Sequence, residues 1–139
     1  MTINAVTMLI GVFSPWLRSG SSTRSSFELF ELVERLGFAS GGTFYWAVRG
    51  WPLVPLVTTA AVIASWSGLS RASAGLSTLA GVYVGAVAVG VRRAPNAGLI
   101  RTEWGVTVSL AGAVLLIATA VWTLVEVNRS RDRARRTPA

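Results

Sequence analysis

The fold class this sequence predicts is an all-α membrane helical bundle, and three observations predict it. Residues 51–69, 72–91 and 104–125 contain no charged side chain, and each run matches the ~20 apolar residues that cross a bilayer as a helix. Hydrophobic residues make up 52% of the chain and mean hydropathy is +0.55, above the ordinary soluble range; a chain of 139 residues builds too small a core to bury three such runs. Tryptophans stand near the ends of the runs, Trp51 and Trp104 at their starts and Trp66 and Trp122 toward the opposite ends, as headgroup-level belts require. Four transmembrane helices over 2–16, 51–69, 72–91 and 104–125 are expected, the first one short. With a short amphipathic helix over 26–37 in the first outer loop, they form one domain over 1–127, followed by a basic disordered tail over 128–139.

The first apolar segment is the weakest span. Extended to Trp16 it measures ~24 Å at 1.5 Å per residue, against a hydrocarbon core of ~30 Å. A signal peptide fits less well, because no positive n-region precedes the segment and no small-x-small cleavage site follows it; a start codon upstream would lengthen the helix. Ser14-Pro15-Trp16 ends it, with Trp16 expected at the interface. Residues 18–26 (RSGSSTRSS) read as a polar loop. The pattern then becomes helical, with Leu29, Leu32, Val33 and Leu36 on one face. Ser25 and Glu28 have the spacing of a capping box, and Glu31 and Arg35 that of a favourable i,i+4 pair. Charged and short, this helix is expected to lie along the interface or on the bundle, or to serve as a plain connection. Residues 43–50 (TFYWAVRG) lead into the second span and crowd Phe44, Tyr45, Trp46 and Trp51 at headgroup level.

Only Ser70-Arg71 joins the second and third runs, with Gly68 just before, so a tight antiparallel hairpin is expected. A longer connection over 92–103, turned by Pro95-Asn96, leads to the fourth. Apolar burial cannot drive helices together in lipid, so small residues must allow close approach. Ser73, Ser77, Gly81 and Gly85 form such a ladder in the third span, Ala60, Ala64 and Gly68 in the second, and Gly105, Ser109 and Ala113 in the fourth. The third span, striped along most of its length, is the expected central helix.

Resemblance adds to this reading. The stretch SPWLRSGSSTRSSFELFELVERLGF after an apolar segment resembles small uncharacterised actinobacterial four-span membrane proteins. The likeness rests on Pro15-Trp16, Arg18-Ser19-Gly20 and Arg24-Ser25-Ser26-Phe27-Glu28-Leu29. It covers the outer loop, reaches the spans only by hydropathy, carries no catalytic residue, and implies a longer first span than this chain has. All thirteen basic residues are arginine, a bias that reads as a GC-rich genome.

The residue inventory excludes much chemistry. Without Cys or His, disulfides, zinc–thiolate sites, thiol nucleophiles and histidine acid–base catalysis fall away. The six carboxylates, Glu28, Glu31, Glu34, Glu103, Glu126 and Asp132, lie outside the spans, where ion and proton carriers need ionisable groups. The small four-span multidrug exporters carry a glutamate in their first helix that this chain lacks. No metal set, nucleophile–base pair or phosphate loop appears, so no cofactor is expected. The spans' Thr58, Thr59, Thr107, Thr119 and Thr123 are expected to bond to their own helix carbonyls.

Two arginine groups remain. Arg129, Arg131, Arg133, Arg135 and Arg136 form a dense tail that resists translocation, which places both termini in the cytoplasm and the tail on the inner leaflet's anionic lipid. Arg18, Arg24, Arg92, Arg93 and Arg101 then gather on the outer face as a lipid-headgroup site, or as mutual salt bridges with Glu28, Glu31, Glu34 and Glu103. The expected function is that of a non-enzymatic accessory or scaffold subunit of a cell-envelope membrane complex in the cell membrane. Its partners are membrane lipid and another membrane protein or a second copy, not nucleic acid. Lipid-headgroup or small-molecule binding and transport, and a holin-like pore former, are the alternatives.

Overall fold

The computed structural model describes residues 2–19, 21–35, 42–93 and 100–136. The chain runs α1 (Thr2–Phe13), β1 (Pro15–Ser19), β2 (Ser22–Ser25), α2 (Ser26–Arg35), α3 (Gly42–Gly50), α4 (Leu53–Trp66), α5 (Ser70–Arg93), β3 (Ile100–Thr102) and α6 (Trp104–Arg136). The all-α bundle is the main architecture. Two helices, Ser70–Arg93 and Trp104–Arg133, are long and apolar enough to cross a membrane; Thr2–Phe13 and Leu53–Trp66 are apolar but shorter.

The helices pack in the order α1, α6, α5, α4. The tight α4–α5 hairpin forms, but its connection is Ser67–Leu69 and not the expected Ser70-Arg71, which open α5; the turn's geometry names its glycine. Gly68 has φ +77°, and Leu69 N–H donates to Ala64 O at 2.9 Å while Gly68 N–H donates to Ser65 O at 3.4 Å. This is the left-handed helix stop that a side chain strains. Gly68 is therefore a turn residue and not part of a packing stripe, and nothing lies within 4 Å of where its Cβ would be. Ala60 also leaves the expected ladder, because it faces outward; α4 buries Val54, Thr58, Ala61 and Ala64 instead. The buried row follows i, i+4, i+7, i+10, and Ala60 lies one residue off it.

The other two ladders are packed. On α5, Ser73, Ser77 and Gly81 are buried and Gly85 is half-buried; on α6, Gly105, Ser109 and Ala113 are buried. A Cβ on Gly81 would lie 2.7 Å from Ile117 Cγ1 and 3.1 Å from Ala113 O, whereas one on Gly85 would meet Ala113 Cβ at an ordinary 3.8 Å. The central position expected of α5 is shared with α6, which carries α1 and β1 on its other side. The closest approaches in the bundle lie there. A Cβ on Gly11 would fall 2.4 Å from Ser109 N, and one on Gly112 would fall 2.6 Å from Met8 Cα.

Further differences from the sequence expectation lie in the first outer loop and at the C-terminal end. Most of the expected loop 18–26 is strand, in β1 and β2: β1 pairs antiparallel with both β2 and β3, giving a small sheet in the order β2-β1-β3. The helix of residues 104–125 continues through Asn128 to Arg136, where a frayed end and disordered tail were expected. Glu126, Arg129, Ala134 and their neighbours are compatible with helix, and Ser130 Oγ donates to Glu126 O at 3.0 Å within that extension.

Candidate functional site

At the end of the bundle where α1 finishes and α6 begins, the three strands, α2 and an aromatic cluster build a cap. Its platform is β1. Ser19 pairs with Ser22, which closes β1 and β2 into a tight antiparallel hairpin. The register breaks between Pro15 and Leu17, and a bulge there re-aims the intervening side chain. That side chain is Trp16. It is wholly buried at 0% exposure, its indole N–H donates to Gly11 O at 2.9 Å, and its carbonyl accepts from Glu103 N–H at 2.9 Å. Gly105 lets α6 start against β1: a Cβ there would sit 2.4 Å from Pro15 O.

Trp51 is the cap's second anchor. It is 1% exposed, meets Trp16 edge-on at 5.2 Å between ring centroids, and touches Phe30 at 4.9 Å and Tyr83 at 5.9 Å. Its indole N–H donates to Ser26 Oγ at 3.0 Å, and Ser26 Oγ donates to Val12 O. One buried hydroxyl thus joins α1, α2 and the start of α4. Trp16 and Trp51 are therefore core residues, not the interface anchors expected of them. An aromatic beside a helix end satisfies either role, and only the fold shows that α2 and the sheet cover these two. Trp46, Trp66, Trp104 and Trp122 are exposed as expected, Trp66 to 76%.

α2 begins with the expected capping box: Ser25 N–H donates to Glu28 Oε2 at 2.8 Å and Glu28 N–H to Ser25 Oγ at 3.4 Å. Arg35 and Glu31 make the expected i,i+4 ion pair at 2.5 Å. α3 continues toward α4 through Trp51-Pro52, with Trp51 N–H donating to Val48 O at 3.2 Å and Val54 N–H to Trp51 O at 3.0 Å. Arg49 lies over the Tyr45 ring, 5.4 Å from its centroid, and donates to its hydroxyl.

The sheet sorts the outer arginines. Arg18 pairs across the strands with Thr23 on one side and Arg101 on the other. Arg24 is in the next row, opposite Leu17, whose other partner is Thr102. Successive rows face opposite ways, so Arg24 is separated from the Arg18 row. Arg92 and Arg93 end α5, exposed, at the same end of the antiparallel α5–α6 pair. Among the described residues, no ion pair joins Arg18, Arg24, Arg92 or Arg93 to Glu28, Glu31, Glu34 or Glu103: Glu28 is engaged in its cap and Glu31 with Arg35.

At the other end, Arg71 donates to Asn128 Oδ1 at 3.0 Å and ties the α4–α5 turn to the α6 extension. Arg129, Arg131 and Arg133 are exposed along that extension, and Arg135 and Arg136 complete it.

Between the two ends the polar side chains serve the helices. Thr58, Thr119 and Thr123 donate to carbonyls on their own helices at 2.8–2.9 Å. Ser73 Oγ reaches from α5 to Ala61 O of α4 at 2.8 Å. Asn4, overlooked in the sequence, donates from α1 to Leu115 O and toward Thr119 Oγ1 on α6 at 3.3 and 3.4 Å; a lone amide inside an apolar helix was its signal. Ser109 Oγ, buried at the α1–α6 crossing, has no hydrogen-bond partner. Among the described residues no group of His, Cys, Asp and Glu is placed to hold a metal ion. No protein-family model, curated protein or solved structure matches the chain.

Proposed function

We propose that this chain is a four-span integral membrane protein of the cell membrane with both termini in the cytoplasm, acting as a non-enzymatic accessory or scaffold subunit of a cell-envelope complex. The observation that carries the reading is the placement of many small side chains between the helices and of large apolar ones on the outside. Ala5, Ala61, Ala74, Ala80, Ala88, Ala113, Ala120, Ser73, Ser77 and Ser109 are turned inward, while Ile3, Leu53, Leu56, Ile63, Leu79, Val82, Val114 and Leu115 are turned out. Such contiguous apolar exposure is costly in water, and a small-residue interior is what helix association in lipid requires. α1 and α4 measure only ~18 and ~21 Å at 1.5 Å per residue. Local bilayer thinning accommodates short spans, and α4 is prolonged by the turn into α3. The polar side chains of the bundle are engaged mainly in helix-to-helix and back-bonding contacts, which favours a structural role over transport. The test is mild-detergent purification from the native membrane with mass spectrometry of bound proteins and lipids. A reproducible membrane-protein partner is expected, and a lone lipid-free monomer would sink the accessory-subunit reading.

A second reading, binding of an anionic lipid headgroup at the outer face, is favoured by one observation. Arg18, Arg24, Arg92 and Arg93 are exposed and free of carboxylate partners among the described residues, and guanidinium forks suit phosphate oxygens.

A further inference from the structure

We propose that Arg49, held by Tyr45 and flanked by Trp46, is a phosphate site on α3; the claim rests on the headgroup reading and assigns it to an arginine outside the group Arg18, Arg24, Arg92 and Arg93. Tyr45 lies one helical turn before Arg49. The guanidinium sits 5.4 Å from the centre of the Tyr45 ring and donates from Nη1 to its hydroxyl. Held at two points, it gives up little freedom on binding. The bond from Nη1 leaves the edge formed by Nε and Nη2, whose parallel N–H groups match two oxygens of a phosphate. Among the described residues, which include all six carboxylates, no acid pairs with Arg49 and no second hydrogen bond engages it.

The corner that carries the site is fixed. Val48 and Trp51, on either side of it in sequence, are buried, and Trp51 N–H donates to Val48 O at 3.2 Å. A Cβ on Gly50 would lie 2.8 Å from Tyr83 Oη, so the end of α3 is seated against α5 while Arg49 itself is exposed. Trp46 is exposed too and meets Tyr45 edge-on at 5.4 Å between ring centroids. An indole suits the headgroup level, and beside a positioned guanidinium it would rest on the lipid whose phosphate the guanidinium takes. Among the described residues, no aromatic ring or hydrogen bond positions the side chains of Arg18, Arg24, Arg92 or Arg93 in this way.

The shared chemistry is phosphate, and its source is either a phospholipid headgroup or a soluble phosphate. The test uses the full chain in nanodiscs of phosphatidylcholine alone or with phosphatidylglycerol, with native mass spectrometry counting retained phosphatidylglycerol. Inorganic phosphate and glycerol 3-phosphate serve as soluble competitors. Arg49→Gln is expected to weaken retention about tenfold, as loss of a charge-assisted bond predicts. Arg49→Lys, which keeps the charge but loses the two-pronged edge, should fall between it and wild type. Tyr45→Phe, which keeps the ring and removes the positioning hydroxyl, should weaken retention about threefold. The Arg18→Gln/Arg24→Gln and Arg92→Gln/Arg93→Gln pairs should leave it within about twofold, as separated sites do. Arg49 is exposed, so Arg49→Gln should unfold in sodium dodecyl sulfate as wild type does, which separates lost binding from lost fold. Glycerol 3-phosphate bound without retained lipid, and lost in Arg49→Gln, would assign the site to a soluble phosphate. Retention unchanged in Arg49→Gln but lost in the other pairs would overturn the Arg49 site while leaving the headgroup reading standing. Absence of any bound phosphatidylglycerol or phosphate on the wild-type chain would overturn both.

Discussion

Substituting Gly112 by Ala tests the packing of this bundle at one of its closest helix–helix approaches. A Cβ at Gly112 would lie 2.6 Å from Met8 Cα and 2.7 Å from Met8 N. Those are backbone atoms, so no side chain can swing aside and α1 must retreat as a unit by about 0.8 Å to reach ordinary contact. A gap of that width is too narrow for a lipid chain and forfeits a quarter to a half of each affected contact. Met8, fully buried against α6, makes on the order of 40 contacts worth ~0.1 kcal/mol each, so its share of the loss is about 1 kcal/mol. Ala5 and Val12, buried on the same face, bring the total to roughly 2–3 kcal/mol, within the usual range for overpacking. Alanine's better helix propensity returns up to about 1 kcal/mol, leaving a net destabilisation of roughly 1–2 kcal/mol. The control is Gly85→Ala, whose Cβ would meet Ala113 Cβ at 3.8 Å and should be neutral or slightly stabilising. Reversible unfolding in mixed micelles by sodium dodecyl sulfate titration, read by tryptophan fluorescence, measures both. If Gly112→Ala matches wild type, or Gly85→Ala is the more damaging, α1 does not approach α6 as closely as described.

Further outcomes follow from other contacts. Ser26→Ala strands the Trp51 indole N–H and the Val12 carbonyl and should cost about 1–3 kcal/mol in the same unfolding assay, whereas Ser22→Ala, on the exposed strand, should be silent. Trp51→Ala should cost about 3–5 kcal/mol by emptying the centre of the aromatic cluster, and Trp46→Ala, 71% exposed, far less. Asn4→Leu removes the bonds to Leu115 and Thr119 and should destabilise by about 0.6 kcal/mol, the average for interhelical bonds in membranes; a loss above 3 kcal/mol would mean that Asn4 does something more. Gly68→Ala should cost about 1 kcal/mol, because left-handed backbone disfavours a side chain.

Much of the helical frame was legible because it depends on local pattern. The uncharged runs, the tight hairpin at Gly68, the Ser25–Glu28 cap, the Glu31–Arg35 pair and the back-bonded threonines are all determined within a few residues. The cap was not legible for the opposite reason. Gly20-Ser21 carries a hairpin signal, but the central pairing of the sheet joins Leu17 to Thr102, 85 residues apart, and no local period reports it. Trp16 and Trp51 looked like interface residues because a tryptophan beside a span end suits lipid headgroups and a buried cluster equally. The α1–α6 contact was missed because Gly11 and Gly112 do not form four-residue ladders; each serves a single close approach. The outer arginines were recognised as a group, but their division into a paired row and separate outliers depends on strand register, which composition does not encode.

Topology tests the membrane arrangement most directly, and the absence of cysteine makes it clean. Single cysteines at Ser22, exposed on the cap, and at Ser130, exposed on the α6 extension, can be labelled with a membrane-impermeant maleimide in intact and in permeabilised cells. Labelling of Ser22→Cys in intact cells and of Ser130→Cys only after permeabilisation is the predicted result. Labelling of both positions in intact cells, or of Ser130→Cys alone, would contradict a bundle with its cap outside and its termini in the cytoplasm.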